Sequence, residues 1–408
     1  MKCGLLGKKL GHSYSPLIHS YLGSYPYELF EVSPENLGEF LKYGDFSGIN
    51  VTMPYKKDVI PFCRELSDRA RELGAVNTIV RQPDGSLLGH NTDYFGFETI
   101  LHQSGISVSG KKVLVLGSGG ASNTAVAALK HHGAKTVVIS RSGENHYQNL
   151  HLHKDAAMIV NATPVGMYPN NGECPVDISL FPELEGVLDL IYNPARTQLL
   201  LDAEARGIVA MNGLLMLVAQ AKEASEWFTG QSIPNDAIPK IYQALVNRME
   251  NIILIGMPGS GKTTIGDLLS QRTGMPLLDA DACIVEKAGR PIPEIFAADG
   301  EAGFRKLETE VMRELCKQSG LIISTGGGCV TREENYPLLH QNGRIICLDR
   351  ALDLLPTEGR PLSQITKLEE MYKVRLPMYQ RFADHWVDNN GAASDTVNAI
   401  LNKLEMNV

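Results

Sequence analysis

Runs of branched and aliphatic residues alternate along this chain with stretches of helical periodicity, and two of these runs end in glycine-rich turns. The first is KKVLVLGSGGASNTAVAALKHHG at residues 111–133, and the second is NIILIGMPGSGKTTIGDLLSQRTG at residues 251–274. Each pattern predicts a strand, a tight turn and a helix that stops at a glycine. Two such units, far apart in the chain, predict two nucleotide-binding α/β domains.

The segment ahead of the first unit, residues 1 to about 105, has shorter alternating elements. Its strand-like stretches are YELFEVS, GINVTM and AVNTIVR, with helical stretches between them. This alternation predicts a separate α/β lobe. Residues 213–229 and 236–249 have helical patterns. We expect the boundary between the two halves of the chain near Met249 to Asn251, with almost no linker.

Composition excludes several classes of protein. The chain has 408 residues, which is too long for one ordinary hydrophobic core. Its composition, with 43% hydrophobic and 21% charged residues, is typical of globular proteins. A net charge of -8 and a pI near 5.8 argue against a nucleic-acid-binding surface. The apolar runs are shorter than the roughly 20 residues of a membrane helix, and no secretory signal is expected. Seven cysteines without a CxxC pair predict reduced thiols in a cytoplasmic protein.

Residues 256–263 read GMPGSGKT, which is a complete GxxxxGK[ST] phosphate-binding loop. Its glycines let backbone N–H groups converge on a polyphosphate, its lysine suits the β- and γ-phosphates, and its threonine hydroxyl suits Mg²⁺. A glycine turn before a capped helix is the alternative, but the complete motif after an IILI strand favours ATP. The predicted nucleotide-binding residues are Gly256, Gly259, Ser260, Gly261, Lys262, Thr263 and Thr264.

Further motifs follow this loop, and each is weak alone. They are LLDADACI with Asp279 and Asp281, IFAADGEAGFRKLETE with Arg305, the glycines 326–328 after IIST, Arg360-Pro-Leu, and Arg375-Leu-Pro-Met-Tyr. In this order and at this spacing, residues 250 to about 400 resemble shikimate kinase.

The resemblance implies roles for the residues around the transferred phosphoryl group. Asp279 would support the Mg²⁺ ion together with Thr263, and Asp281 would bind the shikimate hydroxyl and act as its base. Lys262 would act with Arg360, which would come from a mobile lid and neutralise charge on the phosphoryl group. The lid segment DRALDLLPTEG is shorter than is usual in the family.

The resemblance also implies how the acceptor would be held. Arg305 and Arg375 would clamp the substrate carboxylate, a task suited to the planar guanidinium. Gly327 and Gly328 would approach the substrate with their backbone N–H groups.

The first glycine turn, Gly117-Ser118-Gly119-Gly120-Ala121, lies between the predicted strand VLVLG and the predicted helix AVAALKHHG. This context favours a dinucleotide pyrophosphate site over a simple turn. The next strand, KTVVISRSG, ends in Ser140 and Arg141, where an acidic residue would favour NAD. A basic residue suits the 2′-phosphate of NADP, and a surface arginine is the alternative.

The N-terminal lobe carries polar motifs suited to a polyhydroxylated acid. They are SYSP at 13–16, NVTMPYK at 50–56, GAVNT at 74–78 and NTD at 91–93. Hydride delivery to a ketone creates an alkoxide, which needs a proton donor with a tuned pKa, and a lysine beside an aspartate can supply one. The candidates are Lys56 and Asp93; the alternative is that they are unrelated surface charges.

Together with NATPVGM at 161–167, DLIYNPART at 189–197 and NGLLMLVAQ at 212–220, these motifs closely resemble shikimate dehydrogenase across residues 1 to about 248. The resemblance implies that Lys56 and Asp93 form the catalytic pair. It implies a substrate-binding set of Ser13, Ser15, Asn50, Thr52, Asn77, Tyr192 and Gln220. It places the cofactor on Gly117–Ala121 and Arg141, with Thr163, Gly213 and Met216 lining the nicotinamide side.

We therefore predict an α/β chain with three parts. An N-terminal α/β substrate lobe spans 1–105, with the helices of 213–249 packing back on it, and a Rossmann-like NADP domain spans 106–212. A P-loop domain of the nucleoside-monophosphate-kinase type with a parallel sheet spans 250–408. The stretch between Ser142 and Val160 is shorter than in relatives, which predicts an abbreviated helix in the cofactor domain.

The expected function is a bifunctional shikimate-pathway enzyme. One module would reduce 3-dehydroshikimate to shikimate with NADPH, and the other would phosphorylate shikimate to shikimate 3-phosphate with Mg-ATP. One alternative is a quinate/shikimate dehydrogenase using NAD fused to a kinase, and another is a chain with one degenerate, regulatory module. No nucleic-acid or membrane partner is expected, and the oligomeric state is left open.

Overall fold

The computed structural model describes residues 1–11, 13–355 and 368–406, and its contacts divide the chain into two compact units. Unit 1 comprises Met1–Met167, Gly172–Tyr192 and Leu199–Gln243. Unit 2 comprises Tyr168–Asn171, Asn193–Gln198 and Ala244–Val408. The predicted bounds of the three domains stay a prediction, because compactness alone separates only these two units.

Unit 1 contains a mixed six-stranded sheet near its N-terminus. Its strands are β1 (Cys3–Gly7), β2 (Tyr27–Glu31), β3 (Gly48–Val51), β4 (Glu65–Leu66), β5 (Thr78–Arg81) and β6 (Leu87–His90). Their order is β2-β1-β3-β5-β6-β4, and β5 runs antiparallel to both β3 and β6. The helices in this region are α1 (Ser15–Leu22), α2 (Leu37–Tyr43), α3 (Asp68–Leu73) and α4 (Asp93–Gln103).

A second sheet in unit 1 has five parallel strands. They are β7 (Lys112–Leu116), β8 (Lys135–Ile139), β9 (Ala156–Asn161), β10 (Gly186–Asp189) and β11 (Val209–Met211), in the order β11-β10-β9-β7-β8. The helices that follow are α5 (Gly120–His131), α6 (Gln198–Ala205), α7 (Leu214–Thr229) and α8 (Ala237–Met249). The crossover from β8 to β9 holds a 3₁₀ segment at Tyr147–His153 where the sequence predicted an abbreviated helix.

Unit 2 is built on a third sheet, which is also parallel. Its strands are β12 (Asn251–Ile255), β13 (Leu277–Asp279), β14 (Ile322–Ser324), β15 (Gly343–Asp349) and β16 (His385–Asp388), in the order β13-β14-β12-β15-β16. Its helices are α9 (Lys262–Thr273), α10 (Ala280–Ala288), α11 (Ile292–Leu315), α12 (Asn335–His340), α13 (Leu368–Phe382) and α14 (Ala393–Lys403). The predicted α/β class with parallel sheets is confirmed.

The central strands of both parallel sheets are buried on both faces, which explains their unbroken apolar sequences. Val113 and Val115 of β7 pack in one cluster with helix α5, whereas Leu114 packs in a different cluster. In β12, Ile253 packs with α11 and Leu254 packs with α9 and α14. Because both faces are covered, these strands expose only their ends, and ligands of such sheets bind at the carboxyl ends.

Helix α11 is the longest element of unit 2. Gly300 has φ of +70° and interrupts it, so the turns before and after this glycine point differently. The part after Gly300 carries Arg305, Glu308 and the buried Val311 and Met312. Within 1–11, 13–355 and 368–406, the structure has no helix that is both long and apolar enough to cross a membrane.

We predict that Ile253→Ala lowers the free energy of unfolding of unit 2 by about 2 to 5 kcal/mol, because it empties a fully buried position in β12. Val374→Ala, at a position that is 62% exposed, should change it little. The chain has two tryptophans, Trp227 in α7 and Trp386 in β16, so urea unfolding in a Trp227→Phe background follows unit 2 alone. Equal midpoints for the two variants would contradict the packing described.

Candidate active sites

The phosphate-binding loop of unit 2 turns sharply after β12. Gly256 has φ of +144°, and a Cβ there would lie 2.8 Å from the Leu348 carbonyl oxygen, so only glycine fits. Lys262 at the start of α9 is buried and donates from Nζ to the carbonyl oxygens of Gly256, at 3.1 Å, and Met257, at 3.0 Å. The loop therefore holds its lysine at the N-terminus of α9, the end of a helix that attracts anions.

Oxygen ligands gather beside this loop. Thr263 donates from its hydroxyl to Asp279 Oδ2 at 2.8 Å and lies 3.2 Å from the Ser324 hydroxyl. Asp279 also caps α10, because its Oδ1 accepts from the backbone N–H of Asp281 at 3.0 Å. Carboxylate and hydroxyl oxygens in this arrangement suit a hard divalent cation.

A cavity of about 690 Å³ extends from the loop into unit 2. It brings together residues predicted for the nucleotide, the metal and the acceptor. Those that line it are Gly259, Gly261, Lys262, Thr263, Thr264, Asp279, Asp281, Arg305, Gly327, Gly328 and Arg375. Ser260 is buried behind the loop, where its carbonyl oxygen accepts from Asn389 Nδ2 at 2.6 Å.

A buried ion pair forms one wall of this cavity. Arg305 Nη1 donates to Glu308 Oε2 at 2.8 Å, and the two side chains are 7% and 0% exposed. Burial raises the pKa of the Glu308 carboxyl, and the neighbouring charge of Arg305 opposes that shift. Glu308 holds Nη1, and Glu301 lies 3.4 Å from Nη2, so two carboxylates of the same helix fix the guanidinium in the wall of the cavity.

Glycines 326–328 pack closely against the Arg305–Glu308 ion pair. A Cβ on Gly326 would lie 2.7 Å from Glu308 Oε1, and one on Gly328 would overlap the Arg305 guanidinium. The Gly327 carbonyl oxygen accepts from Arg375 Nη1 at 3.0 Å and from the Tyr379 hydroxyl. The glycines therefore let the backbone approach both arginines. The predicted contact of their N–H groups with a substrate stays a prediction.

In unit 1, the structure brings Lys56 and Asp93 together. Lys56 Nζ lies 2.6 Å from Asp93 Oδ2, and the side chains are 25% and 13% exposed. Asn77 Nδ2 donates to the other oxygen, Asp93 Oδ1, at 2.9 Å and to the Thr92 hydroxyl at 3.0 Å. The carboxylate is thus held on both oxygens, and the lysine ammonium remains accessible beside it.

Helix α7 adds Gln220 to this group. It packs against α4 where Gly96 allows close approach, since a Cβ there would lie 2.6 Å from the Met216 carbonyl oxygen. The Thr92 hydroxyl then lies 3.3 Å from Gln220 Oε1. The two helices set the position of Gln220 relative to Asp93.

The predicted carboxylate-binding serines start helix α1. The backbone N–H of Ser15 donates to Ser13 Oγ at 3.2 Å, so the Ser13 hydroxyl closes a turn just before the helix. Asn50, also predicted to bind substrate, is only 5% exposed, and its Oδ1 accepts from the Tyr27 hydroxyl at 2.7 Å and faces His19 Nε2 at 3.1 Å. The structure therefore surrounds Asn50 with protein groups.

Two further predicted substrate residues lie elsewhere in unit 1. Thr52 follows β3, where its backbone N–H donates to the Leu6 carbonyl at 2.9 Å. Tyr192 meets Tyr14 edge to face, with ring centroids 6.3 Å apart, and burial raises the pKa of its phenol.

The glycine turn after β7 leaves open space at the N-terminus of α5. Gly117 has φ of +101°, and a Cβ there would meet the Ala162 carbonyl at 3.1 Å. Cβ atoms on Gly119 and Gly120 would meet nothing within 4 Å. A backbone turn with this opening can accept a phosphate group at the helix N-terminus.

The other predicted cofactor residues lie at the ends of the second sheet. Ser118 is exposed in the turn, Ala121 is the second residue of α5, and Arg141 is exposed after β8. Thr163 is held after β9, since its hydroxyl donates to Asn161 Oδ1 at 2.7 Å. Gly213 precedes α7, and a Cβ on it would overlap the Leu190 carbonyl group. Met216 lies on α7 and is buried against residues of α4.

Sequence reasoning missed Glu308, Tyr379 and Thr92. Glu308 lies three residues after Arg305 on α11, and Tyr379 lies four residues after Arg375 on α13. Side chains at these spacings share a helix face, so the pairing could have been predicted from helical periodicity. Arg360, the predicted lid residue, lies outside the described residues.

Two family models match the chain. The shikimate kinase model matches residues 258–405, and the shikimate dehydrogenase substrate binding domain model matches residues 5–79. Unit 2 and the first sheet of unit 1 thus match separate families, as the sequence predicted.

Relatives cover the first part of the chain. A shikimate dehydrogenase (NADP(+)) from Clostridium beijerinckii is 36% identical over 271 residues, which is 61% of this chain and 97% of the relative. The structure of a chorismate mutase/shikimate 5-dehydrogenase fusion protein from Clostridium acetobutylicum has 38% identity and a TM-score of 0.57, over 60% of this chain and 96% of that one. A shikimate 5-dehydrogenase from Thermus thermophilus, in complex with NADP(H) and shikimate, has 31% identity and a TM-score of 0.55, over 60% and 99% of the chains.

We predict that Gly328→Ala destabilises unit 2 by about 1 to 3 kcal/mol, because the added methyl group displaces Arg305 from Glu308. Gly391→Ala is the matched control, since a Cβ there meets nothing within 4 Å. Thermal unfolding followed by Trp386 fluorescence compares the two. If Gly328→Ala melted at the native temperature, the close packing of Gly328 on the guanidinium would be wrong.

Proposed function

We propose, because the chain belongs to the shikimate dehydrogenase family and also carries a shikimate kinase domain, that it catalyses two consecutive reactions of the shikimate pathway. The first is reduction of 3-dehydroshikimate to shikimate with NADPH. The second is phosphorylation of the shikimate 3-hydroxyl with Mg-ATP. One observation carries the proposal. Unit 1 holds the Lys56–Asp93 pair, and unit 2 holds a complete phosphate-binding loop whose cavity is also lined by Arg305 and Arg375.

The Lys56–Asp93 pair supports proton transfer in the first reaction. Hydride addition to a ketone leaves negative charge on its oxygen, and the Lys56 ammonium can donate the proton that neutralises it. Asp93 holds Lys56 at 2.6 Å, and Asn77 holds Asp93 at 2.9 Å, so the donor is oriented before the substrate arrives. The Ser13 and Ser15 hydroxyls would bind the carboxylate of the substrate.

The residues around the second sheet fit a dinucleotide. The open backbone at Gly119 and Gly120 would accept the pyrophosphate, and the exposed Arg141 would pair with the 2′-phosphate of NADP. Thr163 and Gly213 would line the nicotinamide side. Bound NADPH supplies the hydride; the chain supplies orientation, the proton and the exclusion of water.

The cavity of unit 2 fits a nucleotide and a small acid. Lys262 and the N-terminus of α9 would bind the β- and γ-phosphates, while Thr263 and Asp279 would hold Mg²⁺, which neutralises phosphate charge when bound. Arg305 and Arg375 would hold the carboxylate of shikimate. Asp281 would orient the 3-hydroxyl and accept its proton. This placement is supported by the proximity of Asp281 to the Arg305–Glu308 wall. A Cβ on Gly326 would lie 3.0 Å from Asp281 Oδ1 and 2.7 Å from Glu308 Oε1, so both carboxylates lie beside this glycine.

A coupled assay tests the proposal. Native protein given 3-dehydroshikimate, NADPH and Mg-ATP should oxidise NADPH and release shikimate 3-phosphate, detected by mass spectrometry. Lys56→Ala should lower kcat for NADPH oxidation by about 10²- to 10⁴-fold, because the proton donor is lost. Phosphorylation of added shikimate should be unchanged in this variant.

Asp281→Asn is the reciprocal control. It should leave NADPH oxidation intact and abolish most phosphorylation, because the amide cannot accept the hydroxyl proton. If both activities survived in either variant, the role given to that residue would be incorrect. If the native protein made no shikimate 3-phosphate, the two-reaction proposal would fail.

The cofactor preference separates the proposal from an NAD-dependent quinate/shikimate dehydrogenase. Arg141→Ala should raise KM for NADP on the order of tenfold to a hundredfold and leave KM for NAD unchanged, because it removes a charge-assisted hydrogen bond. Lys135→Ala is the control, since it removes one positive charge from the opposite end of the same strand, β8. Native turnover that is faster with NADH than with NADPH would favour the alternative.

A further inference from the structure

A buried polar group in unit 1 surrounds Asn50, a predicted substrate-binding residue, with side chains that have been given no role in the reaction. We call His19, Tyr25, Tyr27, Asn50 and Ser225 the His19 cluster. His19, on helix α1, is 0% exposed, and its ring stacks on that of Tyr27 at 4.0 Å. The cluster joins α1 to strand β3 through Asn50 and to helix α7 through Ser225.

Both ring nitrogens of His19 have partners. Nδ1 lies 2.7 Å from the Tyr25 hydroxyl, and Nε2 lies 3.1 Å from Asn50 Oδ1. The Tyr25 hydroxyl lies 2.8 Å from the Ser225 hydroxyl. Buried polar atoms are normally hydrogen-bonded, and these two contacts fix the orientation of the His19 ring.

The partners determine where the ring proton lies. Burial lowers the pKa of His19 to about 3, so the ring is neutral near pH 7 and carries one N–H. Asn50 Oδ1 can only accept, since Asn50 Nδ2 is turned toward the Thr78 hydroxyl at 3.2 Å and the Asn77 carbonyl at 3.4 Å. The proton is therefore placed on Nε2, while Nδ1 faces the Tyr25 hydroxyl, which donates to Ser225 Oγ.

Hydrogen bonds continue from Asn50 to the Lys56–Asp93 pair. Asn50 Nδ2 donates to the Thr78 hydroxyl, which donates to Asn77 Oδ1 at 3.1 Å. Asn77 Nδ2 in turn donates to Asp93 Oδ1 at 2.9 Å. Every link has a donor and an acceptor, so the Asn50 amide supports the orientation of Asn77 together with the Thr92 backbone N–H, which donates to Asn77 Oδ1 at 2.7 Å.

A second path leads from the cluster to the predicted carboxylate-binding serines. The Tyr27 hydroxyl donates to Asn50 Oδ1 at 2.7 Å, and the nearby Ser15 side chain opposes the rise in the pKa of Tyr27 that burial causes. Asn50 Oδ1 thus accepts from two donors, His19 and Tyr27. Loss of the His19 donor leaves a buried acceptor with a single partner, which is unfavourable and frees the amide to turn.

We infer that His19 is a positioning residue for the dehydrogenase reaction: its Nε2–H orients the Asn50 amide, which supports the Asn77–Asp93 contact and the Tyr27 hydroxyl near Ser15, where the hydroxylated acid would bind. This inference rests on the proposed function of unit 1. His19 does not touch the substrate and acts only through Asn50 and Tyr27.

The test compares His19→Leu with His19→Gln in the dehydrogenase assay. Leucine removes both polar contacts, and glutamine keeps a side-chain N–H that can reach Asn50. His19→Leu should raise KM for shikimate about tenfold, which corresponds to about 1.4 kcal/mol, with KM for NADP within about twofold of native. His19→Gln should restore KM for shikimate to within about twofold of native.

A matched control is His153→Leu. His153 is also buried and hydrogen-bonded, with Nε2 3.0 Å from Asn145 Oδ1, but it lies beside the second sheet, away from the cluster. Its replacement should leave KM for shikimate unchanged. Binding of NADPH, followed by its fluorescence, reports whether each variant has folded.

Three results would overturn the inference: native KM for shikimate in His19→Leu, equal impairment of the leucine and glutamine variants, or a parallel rise in KM for NADP. Should His19→Leu fail to bind NADPH, Tyr27→Phe carries the test. It removes the second donor to Asn50 and should raise KM for shikimate selectively; a native value would contradict the inference. Native protein without shikimate turnover would refute the proposed function itself, whereas native turnover with unaffected variants refutes only the role of His19.

Discussion

Both predicted nucleotide sites depend on the same constraint: the buried strand before each of them ends at a glycine where a side chain would meet the backbone of a neighbouring strand or loop. After β7, Gly117 adopts φ of +101°, and after β12, Gly256 adopts φ of +144°. Residues with a side chain rarely adopt these values, so glycine is needed at both points. The turn then directs the N-terminus of the next helix, α5 or α9, toward the carboxyl edge of its sheet. A phosphate group can bind there because the N–H groups of the first helical turn lack partners inside the helix.

The two units hold their charged residues differently. Lys56 and Asp93 are 25% and 13% exposed, which leaves the ammonium accessible for proton transfer. Arg305 and Glu308 are 7% and 0% exposed, which suits a fixed anion receptor more than a proton donor. Removing one member of a buried pair leaves an uncompensated charge, so the cavity wall of unit 2 tolerates less change than the Lys–Asp pair of unit 1.

Positioning in unit 1 extends well behind the groups that would meet a substrate. Asp93 is held by Asn77, whose amide is oriented by Thr78 and Thr92. Asn50 forms a second layer behind Asn77, and His19 would form a third layer behind Asn50. Each layer is buried, where hydrogen bonds are stronger and an unmet donor or acceptor is costly. A reaction that needs a fixed proton donor benefits from such support, because reorganisation at the moment of transfer is avoided.

The sequence alone determined the local elements. The runs before Gly117 and Gly256 predicted strands, the glycines after them predicted turns, and the order of the motifs identified the two families. These features depend on neighbouring residues, whose propensities and spacing are visible in one dimension. The tertiary structure decided which distant groups meet. Lys56 reaches Asp93 across 37 positions because β3, β5 and β6 pair side by side, and Arg375 reaches the Gly327 carbonyl across 48 positions. It also brought His19 and Tyr27 onto Asn50, whose predicted substrate contact stays a prediction. Such contacts follow from strand order and helix packing, which the spacing of residues along the chain does not encode.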